Sequence, residues 1–156
     1  MATIQQVSDY VIFRLKGEGA NSLDTLKHQK LLYYIQAWSL AFTGREMYDA
    51  NFQAWLHGPV NREIYNLYKD SKYLYSEMHI NDITDMLNIN RLTDDEKLHI
   101  DSILEAYAPF SSTQLEHMTH NEEPWIEARV GYDSYARCEE VIKPQTMQKY
   151  YAARLQ

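Results

Sequence analysis

Apolar residues recur at helical spacing along most of this chain, most densely in Leu31–Phe42 (LLYYIQAWSLAF), where ten of twelve residues are apolar or aromatic. A helix there is buried around most of its circumference instead of along one stripe. Ser22 is placed to cap it, Asp24 suits its first turn and Thr43-Gly44 ends it, so the pattern predicts a buried central helix over about 23–43. Before it, Ile4, Val7, Val11 and Leu15 recur at steps of three or four beside Tyr10 and Phe13. They predict an amphipathic helix from Ile4 to about Lys16, stopped by Gly17 and Gly19.

Past Met47 the period changes. Phe52, Ala54 and Leu56 alternate with Asn51, Gln53 and Trp55, which suits a short β element near 51–57. His57-Gly58-Pro59 breaks it, and Pro59 is expected at the front of a helix carrying Ile64, Tyr65, Leu67 and Tyr68. Residues 76–92 are weakly patterned, with one short helical turn expected at Ile83–Leu87. Thr93-Asp94-Asp95-Glu96 and Ser111-Ser112-Thr113-Gln114 are capping boxes. The first opens a helix through Ile100, Ile103, Leu104 and Tyr107 to Pro109, the second a short helix through Leu115 and Met118. Pro124 opens another through Trp125 and Ala128, Tyr135–Ile142 fits neither period, and Pro144 begins a terminal helix with Met147, Tyr150 and Tyr151. The fold class is therefore mainly α: a compact single-domain helical bundle, spanning 1–156, around a buried central helix.

Composition adds bounds. A chain of 156 residues fits one domain and buries roughly 70% of its unfolded surface, so its core needs no metal or disulfide. Cys138 is the single cysteine, and no signal-peptide pattern precedes the polar stretch Lys16–Ser22, so the cytoplasm is the expected compartment. The apolar run at 31–42 is shorter than the roughly 20 residues that cross a bilayer, and no membrane association is expected. A net charge of −7, from 22 acidic and 15 basic residues, repels phosphate backbones, argues against sequence-independent nucleic-acid binding and better suits a basic or membrane-associated partner. Thirteen tyrosines and three tryptophans divide between the core and protein interfaces, where their rigid area and polar handle are favoured.

Candidate chemistry is sparse. His117 and His120 lie three residues apart near Glu116, Glu122 and Glu123, but match neither the i, i+4 histidine pair of a zinc helix nor a cysteine-rich site. Cys138 has one Arg and two carboxylates beside it, unlike an activated nucleophile. Phosphate-binding glycine loops and nucleophile elbows are absent from the sequence. The sequence therefore points to no catalytic residues, metal or cofactor; the competing reading is a metal-dependent phage enzyme using His57, His117, His120 and a nearby carboxylate.

Lys27-His28-Gln29-Lys30-Leu31-Leu32-Tyr33-Tyr34-Ile35-Gln36-Ala37-Trp38, then Thr43-Gly44-Arg45, then Phe52-x-Ala54-Trp55-x-His57-Gly58-Pro59-Val60 with Ile64-Tyr65, and finally Thr119-His120 and Pro124-Trp125 resemble the Panacea domain. This is the SocA-like antitoxin family, which also includes phage-associated GepA-like proteins. The resemblance spans about residues 5–150 and rests on the ordered combination of segments. It implies a bacterial or prophage antitoxin that neutralises a toxin encoded by a neighbouring gene through direct binding; an alternative within the family is an adaptor that delivers the toxin to a ClpXP-type protease. Residues 1–4 leave no room for an appended helix-turn-helix, so DNA binding is not expected.

The resemblance names no contact residues. Lys30 belongs to its signature; His57-Gly58-Pro59 is expected to fix a strand-to-helix turn, Trp38 and Trp55 to fill core, and His120 with Pro124 and Trp125 to lock the join between two short helices. The contact surface is instead expected where apolar periodicity leaves large residues over: Tyr65, Tyr68, Tyr73 and Tyr75, flanked by Arg62 and Lys69, have the composition of an interface hot spot. Exposed tyrosines would also allow a homo-oligomer.

Overall fold

The computed structural model describes residues 1–18 and 21–155, so the expected stop at Gly19 lies outside the described residues. The chain is mainly helical: α1 (Ile4–Lys16), α2 (Thr25–Thr43), the hairpin strands β1 (Gln53–Trp55) and β2 (Gly58–Val60), α3 (Arg62–Tyr68), a 3₁₀ turn (Ile80–Asp82), α4 (Asn88–Arg91), α5 (Asp94–Tyr107), α6 (Ser112–His120), α7 (Glu123–Ala128) and α8 (Pro144–Ala152). α2 is the axis, contacted by α1, α5, α6, α8 and β2. None of the helices of the described residues is long and apolar enough to cross a membrane.

The local signals explain most boundaries. The hydroxyls of Thr93 and Ser111 accept from the amides of Glu96 and Gln114, whose side chains reach back to the cap amides. Gly44 ends α2 in the left-handed conformation at φ 73°. The cap of α2 is Asp24, not Ser22: its carboxylate accepts from the Lys27 amide, while Glu77 takes the Leu23 amide and holds the approach to the helix outside helical geometry. The helical turn expected at Ile83–Leu87 is absent, with the 3₁₀ turn just before it and α4 just after. Its amides are diverted, because the buried carboxylate of Asp9 accepts from the amides of Thr84 and Asp85, the Thr84 hydroxyl and the Asn88 side chain.

The β element is a hairpin. Pro59 sits in β2 opposite Ala54 and does not open α3, which is capped by Asn61 through its Oδ1 and the Ile64 amide. Proline is tolerated there because Ala54 turns both backbone groups away from β2: its amide donates to the Glu140 carbonyl, and its carbonyl accepts from Arg129 Nη1. The Ile142 amide donates in turn to the Phe52 carbonyl, so the unassigned stretch 140–142 closes the outer edge of β1.

Many of the tyrosines face inward. Glu122, just before α7, accepts from Tyr34 Oη at 2.9 Å and Tyr151 Oη at 2.7 Å; Tyr151 Oη, its one proton committed to that carboxylate, lies 3.1 Å from Tyr33 Oη and accepts from it. Tyr107 stacks on Tyr34 at 4.1 Å and accepts from Trp38 Nε1, tying α5, α7 and α8 to α2. Burial raises the Glu122 carboxyl, although the two phenol donors pull it down.

α2 also carries His28, fully buried, with Nε2 3.1 Å from Ser8 Oγ and no hydrogen-bond partner at Nδ1. Burial pushes this imidazole down to about 4, so the folded chain holds it neutral while the unfolded chain takes up a proton below the ordinary value near 6.5. The stability this group contributes is full above pH 6.5 and is lost as pH falls toward 4, a loss of about 3 kcal/mol. Urea unfolding across that range should therefore show a shallower pH dependence in His28→Gln than in the wild-type chain, by about that amount; parallel curves would exclude the buried neutral imidazole.

Candidate functional site

The residues singled out in the sequence gather around the hairpin, on two sides of it. Beneath the hairpin, Lys30 rises from α2, fully buried, and its Nζ donates to the Pro59 carbonyl at 3.0 Å. Gly58 lies directly over the lysine with φ 105°, a conformation L side chains rarely adopt; a Cβ there would stand 2.5 Å from Lys30 Cε and 2.9 Å from Thr119 Oγ1. The glycine is therefore required twice, by backbone angle and by space. Burial lowers the Lys30 ammonium to about 7 against the pull of Glu116 and Asp24, and either protonation state can donate to the carbonyl.

Beside Gly58, His57 Nδ1 lies 3.2 Å from both oxygens of Glu116, joining the hairpin tip to α6. His120 stacks on Trp125 with ring centres 4.1 Å apart, and Trp125 Nε1 donates to the Trp55 carbonyl at 2.9 Å. Pro124 is buried in the first turn of α7. Burial lowers the His120 imidazole, and its Nε2 has no hydrogen-bond partner. These groups join α6, α7 and the hairpin. Trp38 stands apart, packed against Tyr151 at 5.4 Å and Phe42 at 5.7 Å. His117 and Glu123 are exposed, and the described residues hold no group of three potential metal ligands. The Cys138 thiol is buried, 3.9 Å from the Ala128 carbonyl.

On the outer side of the hairpin lies a cleft of 630 Å³ between α3, β1 and the segment 135–139. Trp55 and Tyr65 form its aromatic platform, edge to face at 4.8 Å, and the Arg62 guanidinium lies over both, 4.7 Å from the indole and 5.8 Å from the phenol ring. Lys69 and Tyr73 extend the rim, Tyr73 being 86% exposed. Tyr68 is buried and donates to the Asp82 carbonyl at 2.8 Å, so it supports the cleft from within. Tyr75 is exposed but does not line the cleft.

Trp55, read from the sequence as core, is half-buried and presents its ring to the cleft. Tyr135, Arg137 and Glu139 also line it and were not legible as site residues, because 135–142 follows neither helical nor strand period; Lys72 lines it too, from the loop after α3. The usable signal was an aromatic and an arginine left over in a stretch with no core pattern. A second groove, past the hairpin tip, is walled by Trp125, Ile126, Val130 and Tyr132 and shares His57 and Tyr135 with the first. The two form one face rich in aromatic rings and arginine, with the composition of a protein-contact surface.

The fold that carries these groups is a small, mainly helical domain built on a buried central helix. Residues 29–126 match the family model "Antitoxin SocA-like, Panacea domain", and the chain belongs to that family. No curated protein and no solved structure matches it. The family supports an antitoxin-like, non-enzymatic role and implies a toxin partner in general terms. The matched span includes Lys30, the hairpin, α6 and Trp125, the groups that lock together around Gly58.

Gly58→Ala should lower stability by about 2–4 kcal/mol in chemical denaturation, through the backbone angle and the two close contacts. In a Lys30→Ala background the same change should cost about 1 kcal/mol less, because the nearest clashing atom is gone; strict additivity would show that lysine and glycine are not coupled.

Proposed function

We propose that this protein is the antitoxin of a bacterial or prophage toxin–antitoxin pair and neutralises a toxin encoded by a neighbouring gene through direct contact, using the face around Trp55, Arg62 and Tyr65. The observation that carries this reading is the exposed guanidinium on an aromatic platform in a chain of the SocA-like family. Tryptophan, tyrosine and arginine are the residues through which interfaces draw most of their binding energy, and they do so beside pockets that exclude water. The cleft and the adjoining groove together offer the centre of a contact of standard size, about 1,600 Å² in total. The signature residues beneath the hairpin act on this reading as positioning groups: they fix the strand that carries Trp55 and the turn that leads into α3.

Expression of the neighbouring open reading frame should arrest growth, and co-expression with this chain should restore it and yield a stoichiometric complex. A harmless neighbour would overturn the pairing. Tyr65→Ala and Trp55→Ala should each weaken the complex by about tenfold or more while Tyr75→Ala leaves it unchanged, as measured by calorimetry on the purified proteins. Direct occlusion leaves the toxin's half-life unchanged in pulse-chase; a shortened half-life that depends on a ClpXP-type protease would replace occlusion with the adaptor mechanism.

A further inference from the structure

The cleft departs in charge from the molecule that carries it. The chain has 22 acidic and 15 basic residues, yet Arg62, Lys69, Lys72 and Arg137 line the cleft and Glu139 is its single acidic lining residue. Two of these cations have other work. Lys72 pairs with Asp82 at 2.9 Å and donates to the Glu77 carbonyl, fixing the loop behind α3. Arg137 is 85% exposed and reaches Glu139 at 3.3 Å. Lys69 forms no ion pair among the described residues, and Arg62 forms one, with Glu139.

The Arg62 contact is the informative one. Its guanidinium lies over the Trp55 and Tyr65 rings in the wall of the cleft. Glu139 meets it at a single nitrogen, Nη2, and accepts nothing from the others. A planar guanidinium binds a carboxylate best through two parallel hydrogen bonds, so the occupant it has is a weaker form of the one it suits. The two guanidiniums, that of Arg137 ahead of that of Arg62, hold the Glu139 carboxyl below the usual carboxylate range. Glu139 itself is exposed and lies outside any helix or strand, so its departure breaks no backbone ladder.

We propose that the cleft is a receptor for an acidic segment of the partner protein, an Asp or Glu adjacent to an aromatic or aliphatic side chain, and that Glu139 is an internal surrogate displaced from Arg62 when that segment binds. The inference rests on the direct-contact reading above and specifies its chemistry. The partner carboxylate takes the fork of Arg62, Lys69 adds attraction at the rim, and the neighbouring apolar side chain packs against Trp55 and Tyr65. A cleft of 630 Å³ has the volume for such a pair of side chains. Single-stranded nucleic acid would also meet cations and rings here, but the occupant Arg62 already holds is a carboxylate, and the net charge of −7 repels a phosphate chain.

The test uses the full chain and a displayed library of random peptides. Recovered peptides should carry a carboxylate beside an aromatic or aliphatic residue, and replacing that acid by its amide should weaken binding by about tenfold in calorimetry. Arg62→Ala, with an unchanged melting temperature, should lose binding to the same degree. Glu139→Gln should strengthen it, by about threefold or more, because the competitor is gone. A peptide set with no acidic preference, an Arg62→Ala chain that binds undiminished, a Glu139→Gln chain that binds more weakly, or tighter binding of an oligo-dT strand would each overturn the proposal. Its failure is separable from that of the antitoxin reading. A complex with the neighbouring gene's product that survives Arg62→Ala retains the antitoxin and removes the acidic receptor; acidic peptides that bind as described beside a harmless neighbour do the reverse.

Discussion

The structure depends on α2 being buried on nearly all sides while still carrying polar side chains inward. Lys27, His28, Gln29, Lys30 and Gln36 are all buried in it. Each such group must find a partner or destabilise the fold, and most find the backbone of a loop. Lys27 donates to the Ala108 carbonyl, Gln29 makes a reciprocal pair with the amide and carbonyl of Asn61, Lys30 holds Pro59, and Gln36 accepts from Met47 and donates to Tyr48. The central helix is thus a rack to which irregular segments are hung. The hairpin, too short to be stable alone, takes its position from Lys30 below, Asn61 behind and residues 140–142 at its outer edge.

That arrangement explains what could be read along the chain. Helices announced themselves where the signal was local: the boxes at Thr93 and Ser111, the prolines at 124 and 144, the left-handed Gly44. Wherever a side chain distant in sequence decided the backbone, local reading failed. Asp9 took the amides of Thr84 and Asp85 from 75 or more residues away, and no period within 76–92 records that. Pro59 reads as a helix opener because the sequence does not show that Ala54 faces its hydrogen bonds away from it. The candidate site was half visible for the same reason: α3 supplied Arg62, Tyr65 and Lys69 in one stretch, but the opposite wall comes from 135–139 and meets α3 only in three dimensions.

The tyrosines divide by the partner available to their hydroxyl. Tyr34 and Tyr151 share Glu122, Tyr33 pairs with the Tyr151 hydroxyl, Tyr48 donates to the Leu32 carbonyl and Tyr68 to that of Asp82; these phenols are buried with their hydroxyls satisfied. Tyr73 and Tyr135, with no such internal partner among the described residues, stand 86% and 87% exposed on either side of the cleft. One residue type therefore serves both rigidity inside and contact area outside, and composition alone cannot separate the two uses.

The cleft is assembled from segments far apart along the chain, with Trp55 and α3 on one side and 135–139 on the other, and the latter is held by Arg129, which donates to the Ala136 carbonyl, and by the pairing of 140–142 with β1. During synthesis the buried helix and the hairpin leave the ribosome long before the second wall does. The enclosure of the aromatic platform is therefore completed late: a nascent copy that has exposed α3 but not yet 135–139 presents Trp55 and Tyr65 without the second wall.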